Sequence, residues 1–494
     1  MSDLFARIRP VVGDVLQRRT VAVMGSPAAG VLVEYLAACG VQRWQVLAGS
    51  LWMNTVVTDL RVRYGEGFDI SVSAVDSTAE MGDADLALVV DDVALASRLP
   101  RTMLRLAIFT PTRNHPSYAR LAFPGETFDL STPLDLPSPL EDSIPNEFAS
   151  NGWEWLTAAP LMALCARALL LRDSEYAMTT WEDAWARGVR AFAVGDVHTP
   201  TSAAWCTPAD DAPSTTRYQT PVQRRGTLLI AGLGSLGSVA ARQLAPWVER
   251  LVLVDADHVE VSNLVRQDYA HDQVGEAKAV ALAASLSQLP DAEAAIDGEF
   301  AHALSAPEII PVVDALTDDA QVAALMRRYG VTAALVTTGT HADFAIARAA
   351  RAVGIPHVVG RCYARARFWE AILVDGSRAG AAKGPSYEQV RRAVTVGPTA
   401  APTPEEVAAY GAVGELAGEP ATAMETGWAA LWLARLMTQM MTPVALREGW
   451  LLARLAADAT CFVGGVVVEI GAEGAAYGVR VPGEVHAWSA AEID

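Results

Sequence analysis

The chain has 494 residues and a net charge of −19, and hydrophobic residues make up 51% of it. This length predicts two to four domains with large apolar cores. The acidic balance excludes a nucleic-acid partner, because such a partner needs a basic surface. Apolar runs such as 159–171 are short and interrupted by Arg167, so no membrane span is expected.

Five cysteines are scattered along the chain, and none belongs to a C-x-x-C pair. They are Cys39, Cys165, Cys206, Cys362 and Cys461. The odd count and the lack of pairing predict a reducing, cytoplasmic setting without a disulfide framework or a cysteine-based zinc site. The first residues mix acidic and basic side chains, so no signal peptide is expected.

The first predicted elements follow a short segment that contains Arg7 and Arg9. An apolar run over 20–24 leads into a glycine-rich turn and a helix-like stretch, and a second apolar run covers 44–47. A third run at 86–90 ends in two aspartates. This order of strand, glycine turn, helix and strand is typical of the start of a parallel α/β sheet.

The same plan returns in the second half of the chain. A run over 227–231 leads into a turn with Gly232, Gly234 and Gly237, and a further apolar run covers 251–254. Internal repetition of this kind predicts two related domains.

The repeat extends weakly downstream, where 86–92 resembles 309–319. The chain is therefore predicted to be an α/β protein of two Rossmann-like domains, mostly parallel in sheet, with antiparallel strands near the C-terminus. Proline, aspartate, serine and threonine cluster at 208–221, which places the boundary there. The predicted domains are 1–210 and 211–494.

The two glycine turns are not equivalent. Gly234 is the central glycine of G-x-G-x-x-G, where a small residue lets backbone N–H groups approach a phosphate. In the first copy that position is Pro27, which has no N–H and adds a ring. Asp255, at the ribose-binding position of the second copy, aligns with Ala48. The first domain is therefore predicted to bind no nucleotide.

Charged and amide side chains follow the second turn, and their types indicate which nucleotide ligand the turn would bind. They are Asp255, Asp257, Asn263, Arg266, Gln267, Lys278 and Asp318. The glycine motif alone fits NAD, FAD, S-adenosylmethionine and ATP equally. Hydride transfer needs no cations and carboxylates beside the phosphates. Attack on the α-phosphate of ATP needs both kinds of group, because cations stabilise the growing negative charge and a carboxylate holds Mg²⁺.

The motifs G-x-G-x-x-G, D-x-D, N-L-x-R-Q and G-x-x-K lie between Gly232 and Lys278, and T-D-D follows at 317–319. This pattern resembles the ThiF/MoeB/HesA and ubiquitin-activating adenylyltransferases. The resemblance covers roughly 225–440 and, more faintly, the first 220 residues. The chain departs from it at Asp319, where the family usually has asparagine, and in an extra residue between Asp314 and Asp318.

The resemblance implies a role for each matched residue. Arg266 and Lys278 would bind the phosphates of ATP and stabilise the transition state, and Asp318 would hold Mg²⁺. The nucleotide would be bound by Gly232, Gly234, Gly237, Asp255, Asp257, Asn263 and Gln267, with Asp255 on the ribose. Asp314 could equally cap the next element.

The resemblance also implies how the two domains work together. An inactive copy fused to an active one resembles the intramolecular pseudo-dimer of eukaryotic ubiquitin-like activators. Members of that family carry an arginine-rich opening that reaches into the partner's ATP site, and Arg7 or Arg9 could supply this arginine finger. Two arginines could also simply form a solvated helix face.

Two features of most relatives are absent from this sequence. Ser386 and Gln389 stand where relatives carry the first C-x-x-C pair of a structural zinc site, so no zinc is expected. The stretch 390–424, where thioester-forming relatives have a cysteine, contains none. The sequence therefore supports adenylation and not thioester formation.

Two enzymatic hypotheses follow. The first is an activating enzyme for the C-terminal carboxylate of a small ubiquitin-like protein in a bacterial pathway, with a conjugating enzyme as a further partner. The second is an adenylyltransferase for a peptide or small carboxylate in natural-product biosynthesis, of the microcin type, which needs no catalytic cysteine. A non-enzymatic scaffold and an NAD-dependent oxidoreductase are the weaker alternatives, because they leave the cations unexplained.

Overall fold

A computed structural model of the chain describes residues 4–110, 118–127, 153–177, 182, 185–186, 191–194, 226–288, 307–363, 368–374, 386–388, 421–441, 459–465, 467–468, 477–480 and 483–488. These residues divide into two compact units. Unit 1 comprises Met1–Thr199, Ala421–Trp428 and Val466–Val481, and unit 2 comprises Pro200–Pro420, Ala429–Gly465 and Pro482–Asp494. Segments from the end of the chain therefore complete both units.

The strands, in chain order, are β1 (Thr20–Gly25), β2 (Arg43–Leu47), β3 (Ser71–Val75), β4 (Leu86–Val90), β5 (Arg105–Phe109), β6 (Tyr118–Ala122), β7 (Ala191–Val194), β8 (Thr227–Ala231), β9 (Arg250–Val254), β10 (Glu308–Val312), β11 (Ala333–Val336), β12 (His357–Tyr363), β13 (Phe368–Val374), β14 (Ala459–Gly465), β15 (Val467–Val468), β16 (Tyr477–Arg480) and β17 (Gly483–Trp488).

The helices are α1 (Arg9–Val12), α2 (Ala29–Ala38), α3 (Trp52–Tyr64), α4 (Val93–Arg98), α5 (Trp153–Leu171), α6 (Gly237–Leu244), α7 (Lys278–Ser287), α8 (Asp319–Tyr329), α9 (Ala342–Val353) and α10 (Ala423–Met441). None of the helices that the structure describes is long and apolar enough to cross a membrane.

Each unit is built on one sheet. The sheet of unit 1 has the order β15-β16-β7-β6-β5-β4-β1-β2-β3, and the sheet of unit 2 has the order β10-β9-β8-β11-β12-β13-β14-β17. The strands from β10 to β12 pair in parallel, and β13, β14 and β17 continue that sheet antiparallel. The predicted fold class, two Rossmann-like α/β domains with antiparallel strands near the C-terminus, is confirmed.

Apolar runs in the sequence became the central strands for a simple reason. Helices cover both faces of a parallel sheet, so its inner strands are apolar at every position rather than at alternate positions. All five residues of β4, and likewise of β8, are buried. The edge strand β10 is only partly buried along its length.

The strand orders correct one part of the predicted repeat. β1 lies between β2 and β4, and β8 lies between β9 and β11, so β4 corresponds to β11. The sequence comparison had instead aligned 86–92, which contains β4, with 309–319, which begins in β10. That alignment is wrong, because β10 lies beyond β9. Both segments are apolar strands that end in acidic residues, and this local similarity does not determine which strands they pair with in the sheet.

A buried ion pair joins distant parts of unit 1. Arg167 of α5 lies 2.5 Å from Glu425 in the first turn of α10, and 2.7 Å from the hydroxyl of Thr422. The two charged side chains are 2% and 7% exposed. Arg167 thus interrupts the apolar run of α5 because it binds the segment 421–428. Removing either partner would leave an uncompensated buried charge, which costs several kcal/mol.

A buried histidine makes the stability of unit 2 sensitive to acid. His357 begins β12, is fully buried, and contacts the carbonyl oxygen of Ile355 through Nδ1 at 3.1 Å. Burial lowers the pKa of His357 to about 4. The folded state therefore holds the imidazole neutral, whereas the unfolded chain binds a proton below about pH 6.5.

We expect His357 to destabilise the fold as pH falls through the window from about 6.5 to about 4, by up to about 3 kcal/mol. Its stabilising neutral state is fully present above that window. Urea unfolding should show a steeper loss of stability with acid in the wild type than in His357→Leu. His271→Gln, at an exposed position, serves as the control and should follow the wild type. Parallel pH profiles for wild type and His357→Leu would refute the assignment.

Candidate functional site

The glycine turn after β8 is shaped by direct backbone packing. Gly232 has a φ of +86°, and a Cβ there would lie 2.5 Å from the backbone nitrogen of Thr338. A Cβ on Gly237 would lie 1.8 Å from the carbonyl oxygen of Gly232. A Cβ on Gly234 would meet nothing within 4 Å. Two of the glycines are therefore required by the fold, whereas Gly234 leaves an open surface at the turn.

Three hydroxyl groups hold the carbonyl oxygens of this turn. Thr337 donates to the Gly232 carbonyl at 2.7 Å, Tyr269 donates to the Leu233 carbonyl at 2.8 Å, and Ser238 donates to the Gly234 carbonyl at 2.6 Å. Burial raises the pKa of Tyr269, so its hydroxyl keeps its proton and can donate. Sequence reasoning missed these anchors, because a hydroxyl acquires this role only through the folded position of its backbone.

The predicted ribose-binding residue lies beside the turn. Asp255 follows β9, and its carboxylate accepts hydrogen bonds from the backbone N–H of Leu233 at 2.6 Å and of Asp257 at 2.8 Å. The two bonds use different carboxylate oxygens. Each oxygen of a carboxylate has about two acceptor positions, so Asp255 retains capacity for a ligand hydroxyl.

Lys278 and Asp257 form a half-buried ion pair at the start of α7. The ammonium nitrogen of Lys278 lies 3.0 Å from a carboxylate oxygen of Asp257, and the two side chains are 8% and 73% exposed. The backbone N–H of Lys278 also donates to the Asp257 carbonyl at 2.9 Å. Asp257 therefore orients the lysine.

The segment with Asn263, Arg266 and Gln267 is buried and turned toward the interior of unit 2. Their exposed fractions are 0%, 5% and 3%. Asn263 accepts a hydrogen bond from the Glu260 N–H at 3.0 Å, and its carbonyl accepts from the N–H groups of Arg266 and Gln267. The Asn263 side-chain nitrogen, Nδ2, has no hydrogen-bond partner within the described part of the chain. A buried donor without a partner is costly, and a ligand oxygen would satisfy it.

Asp318 has a structural role in this fold. It is the N-cap of α8, where its carboxylate accepts from the N–H of Gln321 at 2.8 Å. Asp314 accepts from the N–H of Leu316 at 3.0 Å and from the Gln321 side chain at 2.6 Å. Both acids follow β10, which β9 separates from β8, a distance of about 10 Å across the sheet. Within the described residues, no group of three or more histidine, cysteine or acidic side chains could hold a metal ion.

Asp319, the position at which the chain departs from the family pattern, belongs to a surface network. Arg348 of α9 binds Asp319 at 2.6 Å and Glu388 at 2.5 Å. The hydrogen bond from Arg348 lowers the pKa of Asp319. Ser386, one of the two positions expected to replace zinc ligands, is among the described residues, and Gln389 lies outside them.

The first unit carries a different turn at the equivalent place. Gly25 ends β1 with a φ of +103°, and Pro27 and Ala48 stand at the positions of Gly234 and Asp255. Asp91, after β4, has a φ of 57° and accepts hydrogen bonds from the Ser26 hydroxyl and the Thr110 N–H. A carboxylate held at this point repels a phosphate.

The two arginines of the predicted arginine finger belong to unit 1. Arg9 starts α1 and lies 3.4 Å from Asp14 in an exposed ion pair. Arg7 lies in the turn before it and is partly buried. Their proposed reach into the site of unit 2 stays a prediction.

The carboxyl end of β11 carries polar residues that sequence reasoning did not select. Thr338 donates to Asp343 at 2.5 Å, and Asp343 pairs with Arg361 of β12 at 2.5 Å. Burial raises the pKa of Asp343, and the arginine opposes this effect. Asp343 and Arg361 lie 18 positions apart, on a helix and a strand, so no short sequence motif links them.

The glycine turn follows β8 at the point where the strand order of the parallel sheet reverses, with β9 on one side and β11 on the other, as in α/β domains of the Rossmann class. Residues 220–443 match the model of the ThiF family. This match falls in the part of the chain where the motifs predicted the resemblance.

A curated relative matches part of the chain. The adenylyltransferase and sulfurtransferase MOCS3 of Sus scrofa is 42% identical over 109 residues, which are 22% of this chain and 21% of that protein. The chain therefore spans about a fifth of the length of this relative.

Three solved structures match parts of the chain at low identity. Selenomethionine PaaA is 16% identical with a TM-score of 0.33, over 53% of this chain and 64% of that chain. Escherichia coli MccB is 13% identical with a TM-score of 0.35, over 53% and 62%. The E. coli tRNA N6-threonylcarbamoyladenosine dehydratase TcdA, in complex with AMP, is 20% identical with a TM-score of 0.31, over 44% and 87%.

The glycine packing predicts opposite outcomes for two single substitutions. Gly237→Ala should lower the melting temperature by several degrees or prevent folding, because its Cβ would collide with a backbone oxygen. Gly234→Ala should leave the melting temperature within about 2 °C of wild type, since its Cβ enters open space. Thermal unfolding followed by circular dichroism measures both. Equal destabilisation by the two variants would contradict this account of the turn.

Proposed function

We propose that unit 2 binds ATP at the glycine turn and transfers its adenylyl group to a carboxylate. One observation carries the proposal. An open turn surface at Gly234 lies beside a carboxylate with acceptor capacity, Asp255, and the segment 263–267 buries the side-chain nitrogen of Asn263, which has no hydrogen-bond partner among the described residues. Phosphate, ribose hydroxyl and an acceptor oxygen are the groups that these three features would bind.

The chemistry follows from the charges at the site. A carboxylate oxygen of the acyl substrate attacks the α-phosphorus of ATP, the bond between the α- and β-phosphates breaks, and pyrophosphate leaves with the electron pair. Negative charge grows on the α-phosphate and on the leaving pyrophosphate. Arg266 and Lys278 stabilise that charge, because cations with little exposure to water are weakly screened. Asp257 holds Lys278 in place.

Mg²⁺ accompanies ATP in this proposal, with Asp318 as its carboxylate. Mg²⁺ is usually bound through one or two carboxylates together with substrate phosphates, so the absence of a larger acidic cluster among the described residues fits this use. Asp318 would have to keep capping α8 through one oxygen while it binds the metal through the other.

We further propose that unit 1 is the nucleotide-free copy. Pro27 removes a backbone donor, Ala48 removes the ribose carboxylate, and Asp91 places a negative charge after β4. Each of these would weaken ATP binding at the turn of unit 1. Arg7 or Arg9 of this unit is the proposed arginine finger of the pseudo-dimer.

The acyl substrate is proposed to be the C-terminal carboxylate of a small ubiquitin-like protein. The fusion of two unequal copies supports this choice, as does the local identity to MOCS3, which is named an adenylyltransferase and sulfurtransferase. A peptide or small carboxylate is the second candidate. The lack of a cysteine in 390–424 favours it, because release of a free or directly transferred adenylate needs no thiol.

Exchange of labelled pyrophosphate into ATP tests the adenylation step. With ubiquitin-like proteins and peptides that have free C-termini, Arg266→Ala and Lys278→Ala should each lower exchange by about 100-fold or more. Gly234→Ala should lose ATP binding while it stays folded. Arg250→Ala is the matched control, because the partly exposed ion pair of Arg250 with Glu308 lies at the other end of the strands and contributes little. Intact exchange in Arg266→Ala would exclude the proposed role.

Asp255→Asn separates binding from chemistry. The amide oxygen can still accept from Leu233, but the charge that binds the ribose is lost. We expect the Kd for ATP to rise about 10-fold or more, with a smaller change in kcat. Isothermal titration gives the Kd, and exchange at saturating ATP gives kcat. A loss confined to kcat would place Asp255 in the chemical step instead.

A cysteine-free chain tests the absence of a thioester. Burial raises the pKa of Cys39 to about 11 and that of Cys165 well above its usual value, so neither is a reactive thiolate at neutral pH. Replacing all five cysteines should leave pyrophosphate exchange, and any covalent product, within about twofold of wild type. Loss of a hydroxylamine-sensitive adduct on removal of a single cysteine would instead reveal a thioester route.

A further inference from the structure

Asp343 and Arg361 form a deeply buried ion pair near the carboxyl end of β11. The guanidinium of Arg361 lies 2.5 Å from the carboxylate of Asp343, and the two side chains are 5% and 0% exposed. Taking both charges out of water costs several kcal/mol per ion, and an apolar pair of the same size is often as stable. Such a pair therefore calls for a reason beyond stability.

The other oxygen of Asp343 leads directly to the glycine turn. It accepts a hydrogen bond from the Thr338 hydroxyl at 2.5 Å. The same hydroxyl accepts from the N–H of Thr340 at 3.2 Å, so it closes the turn over 338–340 between β11 and α9. The backbone nitrogen of Thr338, together with the backbone carbonyl group of Thr337, leaves no room for a side chain on Gly232. Asp343 thus acts on the glycine turn through one hydroxyl group and one backbone contact.

Aromatic rings cover the far side of the arginine. The guanidinium carbon of Arg361 lies 5.9 Å from the ring centre of Phe344 and 6.0 Å from that of Tyr387. The two rings are 5.3 Å apart, and Tyr387 is 2% exposed. These faces attract the cation and exclude water from it. Water exclusion strengthens the pull of Arg361 on Asp343, because the local dielectric is low.

The strand order indicates which ligand this turn faces. Asp255, the proposed ribose residue, follows β9 on one side of β8, and the 338–340 turn follows β11 on the other side. A nucleotide with its ribose at β9 and its phosphates on the glycine turn leaves the β11 side for the attacking carboxylate. This step rests on the proposed adenylation reaction.

We propose that Asp343 and Arg361 are positioning residues of the adenylation site, which hold the Thr338 turn against the glycine turn on the side where the acyl carboxylate binds. Asp343 fixes the Thr338 hydroxyl, Arg361 keeps Asp343 ionised and oriented, and Phe344 and Tyr387 keep the pair dry. None of the four touches the reacting atoms.

Two variants test the link with a readout that needs no substrate. Asp343→Asn removes the charge of the acceptor, and Thr338→Val removes the donor while the ion pair stays intact. In the full-length protein without ligand, amide hydrogen exchange over 338–343 should become about 10-fold faster or more in both. Thr338→Ser, which keeps the hydroxyl, should exchange like wild type. Unchanged exchange over 338–343 in Thr338→Val overturns the proposal, even if Asp343→Asn fails to fold.

Enzyme kinetics then tests whether the turn over 338–340 positions the carboxylate substrate rather than ATP. In pyrophosphate exchange, Thr338→Val should raise the KM for the carboxylate substrate or lower kcat by about 10-fold, while the Kd for ATP changes less than about threefold. Thr338→Ser should restore both. The control is Thr332→Val, whose hydroxyl bonds to the Thr227 carbonyl at the opposite end of β11 and should leave the kinetics unchanged.

The outcomes separate this proposal from the proposed function. Wild-type protein that neither binds ATP nor exchanges pyrophosphate overturns adenylation, and with it the positioning role. If the wild type is active, and Thr338→Val has a loosened turn but unaltered kinetics, the positioning role alone is refuted. An equal loss in Thr332→Val would show a general loss of stability and would also refute it.

Discussion

Direct contact between backbones at the carboxyl edge of the second sheet is the constraint on which the site depends. The turn after β8 packs so closely on itself and on the turn after β11 that Gly232 and Gly237 have no space for a Cβ. Hydroxyls from Thr337, Tyr269 and Ser238 then hold the carbonyl oxygens of the turn. These bonds fix the shape of the turn, whose open position is Gly234.

Charge is distributed in a way that a net charge of −19 conceals. The cations near the turn are buried, and each of two has an acidic partner that sets its position: Asp257 for Lys278, and Asp343 for Arg361. Low local dielectric makes a buried cation act more strongly on a nearby phosphate than a surface cation does. An overall acidic protein can therefore hold an anionic ligand, since the local arrangement outweighs the distant surface charges that salt screens.

The two units share part of one topology but differ at the turn after the first strand. Each places that strand between two parallel neighbours, β1 between β2 and β4, and β8 between β9 and β11. The turn of unit 1 has lost a donor at Pro27 and an acceptor at Ala48, and Asp91 sits there in a conformation that is uncommon for a residue other than glycine. The central strands beneath the two turns are apolar in both units.

The sequence by itself determined the class of fold, the glycine turn after β8 and the residues that follow it, because apolar periodicity and short motifs are local properties of the chain. It could not match the strands of the two copies beyond the second, since β4 and β10 are both apolar runs followed by acidic residues and only hydrogen bonding across the sheet assigns their neighbours. For the same reason it passed over Tyr269, Thr338, Asp343 and Arg361. Those contacts join residues far apart in the chain, and only the tertiary structure brings them within hydrogen-bonding distance.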